Sequence, residues 1–115
     1  MEGEEMTGNE YQKLASRTIN GGLTGDQTEL HALHGMVSEM GEIHAIYQKI
    51  YQGHEYSLEH VERELGDLLW FIAELCTVLG LDLDDVMMTN IQKLIERYPE
   101  GFDADHSLHR KEGDI

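Results

Sequence analysis

Two five-residue segments of this chain, Glu39-Met40-Gly41-Glu42-Ile43 and Glu64-Leu65-Gly66-Asp67-Leu68, repeat one pattern of carboxylate, apolar residue, glycine, carboxylate and apolar residue. On a helix that advances about 100° per residue, carboxylates three positions apart share a face, one turn from each other. Glycine inside a helix is less favourable than alanine by about 1 kcal/mol, so it needs a reason, and close approach of two backbones is the expected one. Helices crossing at Gly41 and Gly66 would gather Glu39, Glu42, Glu64 and Asp67. Carboxylates crowded into a low-dielectric site repel, so they either take up protons or hold hard divalent cations. Ligands that are all oxygen favour Mg2+, with Mn2+ as a substitute, over zinc. An isolated pair of this kind is ordinarily solvated surface; the repetition and the two glycines are what argue for a site.

The elements that must position these groups read as helices. Tyr11, Leu14, Ala15 and Ile19 space a short first helix from Asn9 to about Ile19, ended by Asn20-Gly21-Gly22. Asp26 or Thr28 is the expected cap of a second helix running to about Tyr51, and Ser57 of a third ending at Leu79 before Gly80. Leu33, Met36, Val37, Met40 and Ile43 form one apolar arc of the second helix, and Leu58, Val61, Leu65, Leu68, Leu69 and Ile72 one of the third. The carboxylates lie at the edges of these arcs, where a cleft beside a core would be. Trp70, Phe71 and Val78 fall outside the third helix's arc and form a second strip that association with another copy would bury. Asp82 caps a fourth helix from Leu83 to about Arg97, with Asp84 and Asp85 in its first turn and Pro99 as its stop. No stretch alternates with period two, so the fold class is all-α. The expected organisation is a disordered terminus over 1–8, a helical domain over 9–99 and a tail over 100–115.

Composition narrows the function. A chain of 115 residues suits one domain, and its formal charge of −15 excludes a nucleic-acid partner bound through phosphates, which needs a basic footprint. Bound metal ions would invert the field locally and let an anionic substrate in. The N-terminus has no basic or apolar run and no stretch is long enough to span a bilayer, so no membrane partner is expected. The single cysteine, Cys76, reads as a small buried hydrophobe and suits a reducing cytoplasm. Seven histidines do not form a recognisable metal set: no glutamate has a histidine three residues on, as a di-iron bundle requires, and the only adjacent His/Asp pair is Asp105-His106, in the order opposite to His-Asp phosphohydrolases. A Gly-x-x-x-x-Gly-Lys phosphate loop is absent.

The two motifs resemble the signature of the MazG-like all-α nucleoside triphosphate pyrophosphohydrolases, Glu-x-x-Glu followed further along by Glu-x-x-Asp. The likeness extends through Leu68-Leu69-Trp70 and Asn90-Ile91-Gln92-Lys93-Leu94-Ile95-Glu96-Arg97-Tyr98-Pro99, over about Tyr11 to Arg110. One departure is Ser38, where many members carry a further acidic residue. The resemblance implies a four- to five-helix bundle completed by oligomerisation, as a homodimer or homotetramer. It also implies Mg2+-dependent hydrolysis of a nucleoside triphosphate, with a dNTP expected, to the monophosphate and pyrophosphate. Glu39, Glu42, Glu64 and Asp67 would then serve as metal ligands and catalytic groups. Asn90, Lys93 and Arg97, which share a polar face of the last helix, would bind substrate phosphates. Trp70 would stack on the base. Hydrolysis of phosphoribosyl-ATP or of dUTP uses the same carboxylate pattern and is the enzymatic alternative; a non-catalytic helical dimerisation module is the alternative of another class.

Overall fold

A computed structural model describes residues 5–115. Of the expected disordered terminus, residues 1–4 lie outside the described residues, and Gly8 already belongs to the first helix. Among the described residues there are five helices and no strands: α1 (Gly8–Ser16), α2 (Gly25–Ile50), α3 (Leu58–Leu79), α4 (Leu83–Arg97) and α5 (Ala104–Leu108). The chain is all-α, as its periodicity predicts.

Local chemistry sets the helix ends. Thr7 caps α1 by accepting from the Glu10 N–H, and the expected extension to Ile19 is taken up by single turns in which Arg17, Thr18 and Ile19 each donate three residues back. The cap of α2 is Thr24, not Asp26 or Thr28. Thr24 accepts from the Gln27 N–H while the Gln27 side chain accepts from the Thr24 N–H, a reciprocal pair that satisfies two otherwise orphaned donors. Thr28 is instead buried, with its hydroxyl donating to the Thr24 carbonyl. Ser57 caps α3, and Gly80 ends it in the left-handed region at φ 72°, where a side chain would be strained. Asp82 occupies the N-cap of α4 without a side-chain bond; the free N–H groups there are met from α1, Leu83 donating to Gln12 and Asp84 to Asn9. Gln12 also donates to the Leu81 carbonyl, so α1 ties the end of α3 to the start of α4.

The central contact is between α2 and α3, which run antiparallel, and it differs from the arcs predicted above. The residues buried between the two helices are mostly small: Ala32 and Gly35 on α2 and Ala73 and Cys76 on α3, with Ile46 and Val61 also buried. A Cβ placed on Gly35 would overlap the Phe71 ring, so this glycine is the one that close packing requires. Gly41 and Gly66 have open space where a Cβ would go, and the helices do not cross there. Trp70, Phe71 and Val78, the strip expected to stay wet, are half-buried. The larger apolar residues point outward, with Val37 73% exposed, Leu58 69% and Leu65 52%. Small side chains allow closer helix approach than the bulky arcs do, so the hairpin closes on its narrow face and leaves its broad apolar face unused. The main contact of α4 is with α1, and Ile91 and Ile95 on it are more than half exposed. The Cα radius of gyration is 17.6 Å, against about 13 Å for a compact chain of this length.

The tail is more ordered than its composition predicts. Asp103 caps the short α5, and Asp114 returns to pair with Arg97 through two hydrogen bonds of 2.7 and 2.9 Å.

Candidate metal centre

The register of the α2–α3 pair is fixed where Gly35 meets Phe71. One turn on, it places Glu39 across from Glu64 and Asp67, and each of the three offers a carboxylate oxygen within 4.8 Å of the others. Glu39 and Glu64 are half-buried and Asp67 faces solvent. The Glu39 oxygen Oε2 is buried with no hydrogen-bond partner. A stranded carboxylate oxygen beside two further carboxylates is a costly arrangement for a protein with nothing to bind there.

The electrostatics say the same. The Glu39 carboxyl is pushed up from 4.5 to about 7, first by a hydrogen bond with Glu64, then by burial, then by the charges of Glu64, Asp67 and Glu42. Without a cation the cluster therefore relieves its repulsion by holding a proton. Three hard oxygen donors in one place are equally a ligand set for Mg2+ or Mn2+, so the donor chemistry fits the expected ion.

The sequence-predicted residues are only partly brought together. Glu42 adds its charge to Glu39 but is exposed and stands outside the trio. Trp70, one turn beyond Asp67, donates from Nε1 to the Thr18 hydroxyl at 2.9 Å and stands edge-on to both His31 and Phe71. Lys93 and Arg97 lie on α4, lining a cavity of about 440 Å³ closed by the tail, together with Arg110 and Lys111. Arg97 is occupied there by Asp114, whose carboxyl is held below its usual range by Arg97 first, with Arg110 and Lys93 adding to it. Asn90 is exposed on the same helix.

Three groups escaped the sequence reading, two of them beside the carboxylates and one farther along α3. Tyr11 of α1 comes close enough to Asp67 that its hydroxyl is pushed up, by burial first and then by the Asp67 charge. His60 lies 3.2 Å from Glu64, a spacing of four residues that the sequence does display. Glu74, buried completely, is bonded to His31. Nothing in the linear sequence announces the Tyr11 and Glu74 contacts, because both depend on the packing of separate helices.

The family model described as "MazG nucleotide pyrophosphohydrolase domain" matches residues 27–102, a span that takes in all four motif carboxylates, Trp70, Asn90, Lys93 and Arg97. The chain is also similar to the "Gene 37 protein" of Mycobacterium phage L5, 31% identical over 100 residues, covering 79% of this chain and 88% of that protein. No solved structure matches the chain.

Proposed function

Since the chain belongs to the MazG nucleotide pyrophosphohydrolase family, we propose that it hydrolyses a nucleoside triphosphate, a dNTP first of all, to the nucleoside monophosphate and pyrophosphate, with Mg2+ as cofactor and Mn2+ as a substitute. The observation that carries this reading is the trio Glu39, Glu64 and Asp67, of which Glu39 also has a buried oxygen, Oε2, without a hydrogen-bond partner. These three residues, joined by Glu42, would hold the metal. Bound there, Mg2+ would neutralise phosphate charge and lower the pKa of an attacking water. The chain's own part is to supply a base and to hold the polyphosphate. One of the four motif carboxylates, or a carboxylate outside them, would take the proton of the attacking water. The cations for the second, Lys93 and Arg97, sit on α4, whose main contact is with α1 rather than with the pair of helices that carries the carboxylates.

That separation, the extended shape and the exposed apolar faces of α2, α3 and α4 support a homodimer or homotetramer in which α4 of one copy approaches the carboxylates of another. A purely structural dimerisation module fits less well, because packing alone gives no use to the carboxylates that Glu39, Glu64 and Asp67 bring together. A cytoplasmic setting belongs to the same proposal and rests on the free, buried Cys76. No helix among the described residues is long and apolar enough to cross a membrane.

The test is pyrophosphate release from a panel of ribo- and deoxynucleoside triphosphates, with phosphoribosyl-ATP included, in the presence of Mg2+ or Mn2+. Activity on at least one triphosphate is expected, with loss of at least a hundredfold in Asp67→Asn while the helical circular-dichroism signal is kept. Absence of release from every compound by folded protein would sink the reading, and activity on phosphoribosyl-ATP alone would transfer it to the alternative substrate.

A further inference from the structure

The most completely buried large side chain among the described residues is a carboxylate. Glu74 lies in the α2–α3 seam with its side chain fully shielded from solvent, and its hydrogen-bond partner among the described residues is His31, whose Nδ1 stands 2.8 and 3.0 Å from the two carboxylate oxygens. Burying a charged group against a single partner does not stabilise a fold relative to two well-packed apolar residues, so the pair calls for a use. Its geometry suggests one. Nδ1 is the ring nitrogen that Glu74 engages, so the ring is held with Nε2 as its other, unengaged nitrogen. The His31 side chain is 47% exposed, so that free edge is open to a ligand.

The pair is also well placed. Glu74 follows Asp67 by seven residues on α3, two turns along one face, which is about 10 Å. On α2, His31 precedes Glu39 by about the same distance, so the pair lies along the same seam as the carboxylate trio. Between them stand Gly35 and Phe71, and beside them Trp70, whose ring is edge-on to His31 with centroids 6.5 Å apart. A polyphosphate anchored at the carboxylates and laid along this seam toward His31 would bring its nucleoside to an aromatic wall with one fixed ring nitrogen.

We propose that His31, oriented by Glu74 as a positioning residue, binds the nucleoside end of the substrate by a hydrogen bond from or to Nε2, with Trp70 as the adjoining wall. This rests on the pyrophosphohydrolase reading for the substrate class. The ligand is a nucleoside 5′-phosphate, recognised through an edge of its base.

Calorimetric binding in the presence of Mg2+ tests it without depending on turnover. The four deoxynucleoside monophosphates and inorganic pyrophosphate are titrated into the wild type, His31→Ala, His31→Gln and the double variant His31→Leu/Glu74→Leu. The double variant replaces the pair by apolar groups and keeps the seam filled, so folding is retained. Monophosphate affinity should fall about tenfold in His31→Ala and in the double variant, the loss expected of one hydrogen bond. Pyrophosphate affinity should stay within twofold of wild type. His31→Gln, which places a nitrogen near the position of Nε2, should recover most of the loss. Unchanged monophosphate affinity, equal loss for both ligands, or a wild type that binds none of the four monophosphates would each overturn the proposal. Pyrophosphate binding without triphosphate hydrolysis would instead count against the functional reading on which it rests.

Discussion

Stripped of divalent cations, the protein should lose stability as pH rises from about 5 to about 8, and Mg2+ should restore it only at the upper end. The group responsible is Glu39, whose carboxyl is raised from 4.5 to about 7 by its hydrogen bond with Glu64, by burial and by the charges around it. An acid with a folded pKa above its unfolded value makes the native state bind more protons between the two values. Its stabilising effect is therefore fullest below about 4.5 and is lost as pH climbs through about 7. The full shift corresponds to about 3 kcal/mol. Glu39 is half-buried as a whole, so solvent screening brings this down to about 1–2 kcal/mol. In a domain of this size that is a fall in melting temperature of about 5–10 °C. Scanning calorimetry in a chelating buffer across the range, with and without excess Mg2+, measures it. The cation competes with the proton, so it should stabilise strongly near pH 8 and hardly near pH 5, and Glu39→Gln should flatten the metal-free profile. A flat profile in the wild type, or equal Mg2+ stabilisation at both ends, would refute the reasoning.

The packing predicts opposite outcomes at two glycines. Gly35→Ala should cost about 2–4 kcal/mol in denaturant unfolding, because the new methyl meets the Phe71 ring, whereas Gly66→Ala should be neutral or stabilising in the metal-free protein because it meets nothing. Asp114→Asn should lower KM several-fold with kcat unchanged if Arg97 serves substrate, since the ion pair that occupies the guanidinium is weakened; an unaltered KM removes Arg97 from the site. Light scattering should give two or four times the 13.1 kDa chain mass at micromolar concentration, and a monomer with full activity would refute assembly as the completion of the site.

What was legible in the sequence was what is decided locally. Ser57, Gly80 and Pro99 bound their helices where cap chemistry says they should, and the three-residue spacing of the second motif puts Glu64 and Asp67 on one face, where Glu39 but not Glu42 of the first motif joins them. Thr24 was passed over because it stands among glycines rather than beside the apolar run, although Gln27 three residues later completes its signature. The larger misreading concerns the faces. Hydrophobic periodicity finds the most apolar arc of a helix, but α2 presents Ala32 and Gly35 to its neighbour because small residues admit the closest approach. A helix with two usable faces leaves that choice to its partners, which its own sequence does not contain. Nor does periodicity register the Arg97 pair with Asp114, since the two lie 17 residues apart in an acidic tail.

The distribution of charge makes the same case for assembly as the unused apolar faces. The chain carries 23 acidic residues against eight Lys and Arg, and four of those eight, Lys93, Arg97, Arg110 and Lys111, line one cavity on α4 and the tail. The carboxylate trio lies on α2 and α3, whereas α4 has its main contact with α1. A triphosphate requires both: hard cations held by the carboxylates, and fixed positive side chains for the oxygens those cations leave free. Within one protomer the two halves of that requirement are apart, and the apolar residues of α4 stand exposed beside the cations. Docking α4 against the broad apolar face of another copy's α2–α3 pair would bury Ile91 and Ile95, cover Val37 and Leu65, and carry Lys93 toward the carboxylates in a single step. Burial of the apolar faces would thus supply the driving force for a charge arrangement that repulsion within so acidic a chain would otherwise oppose.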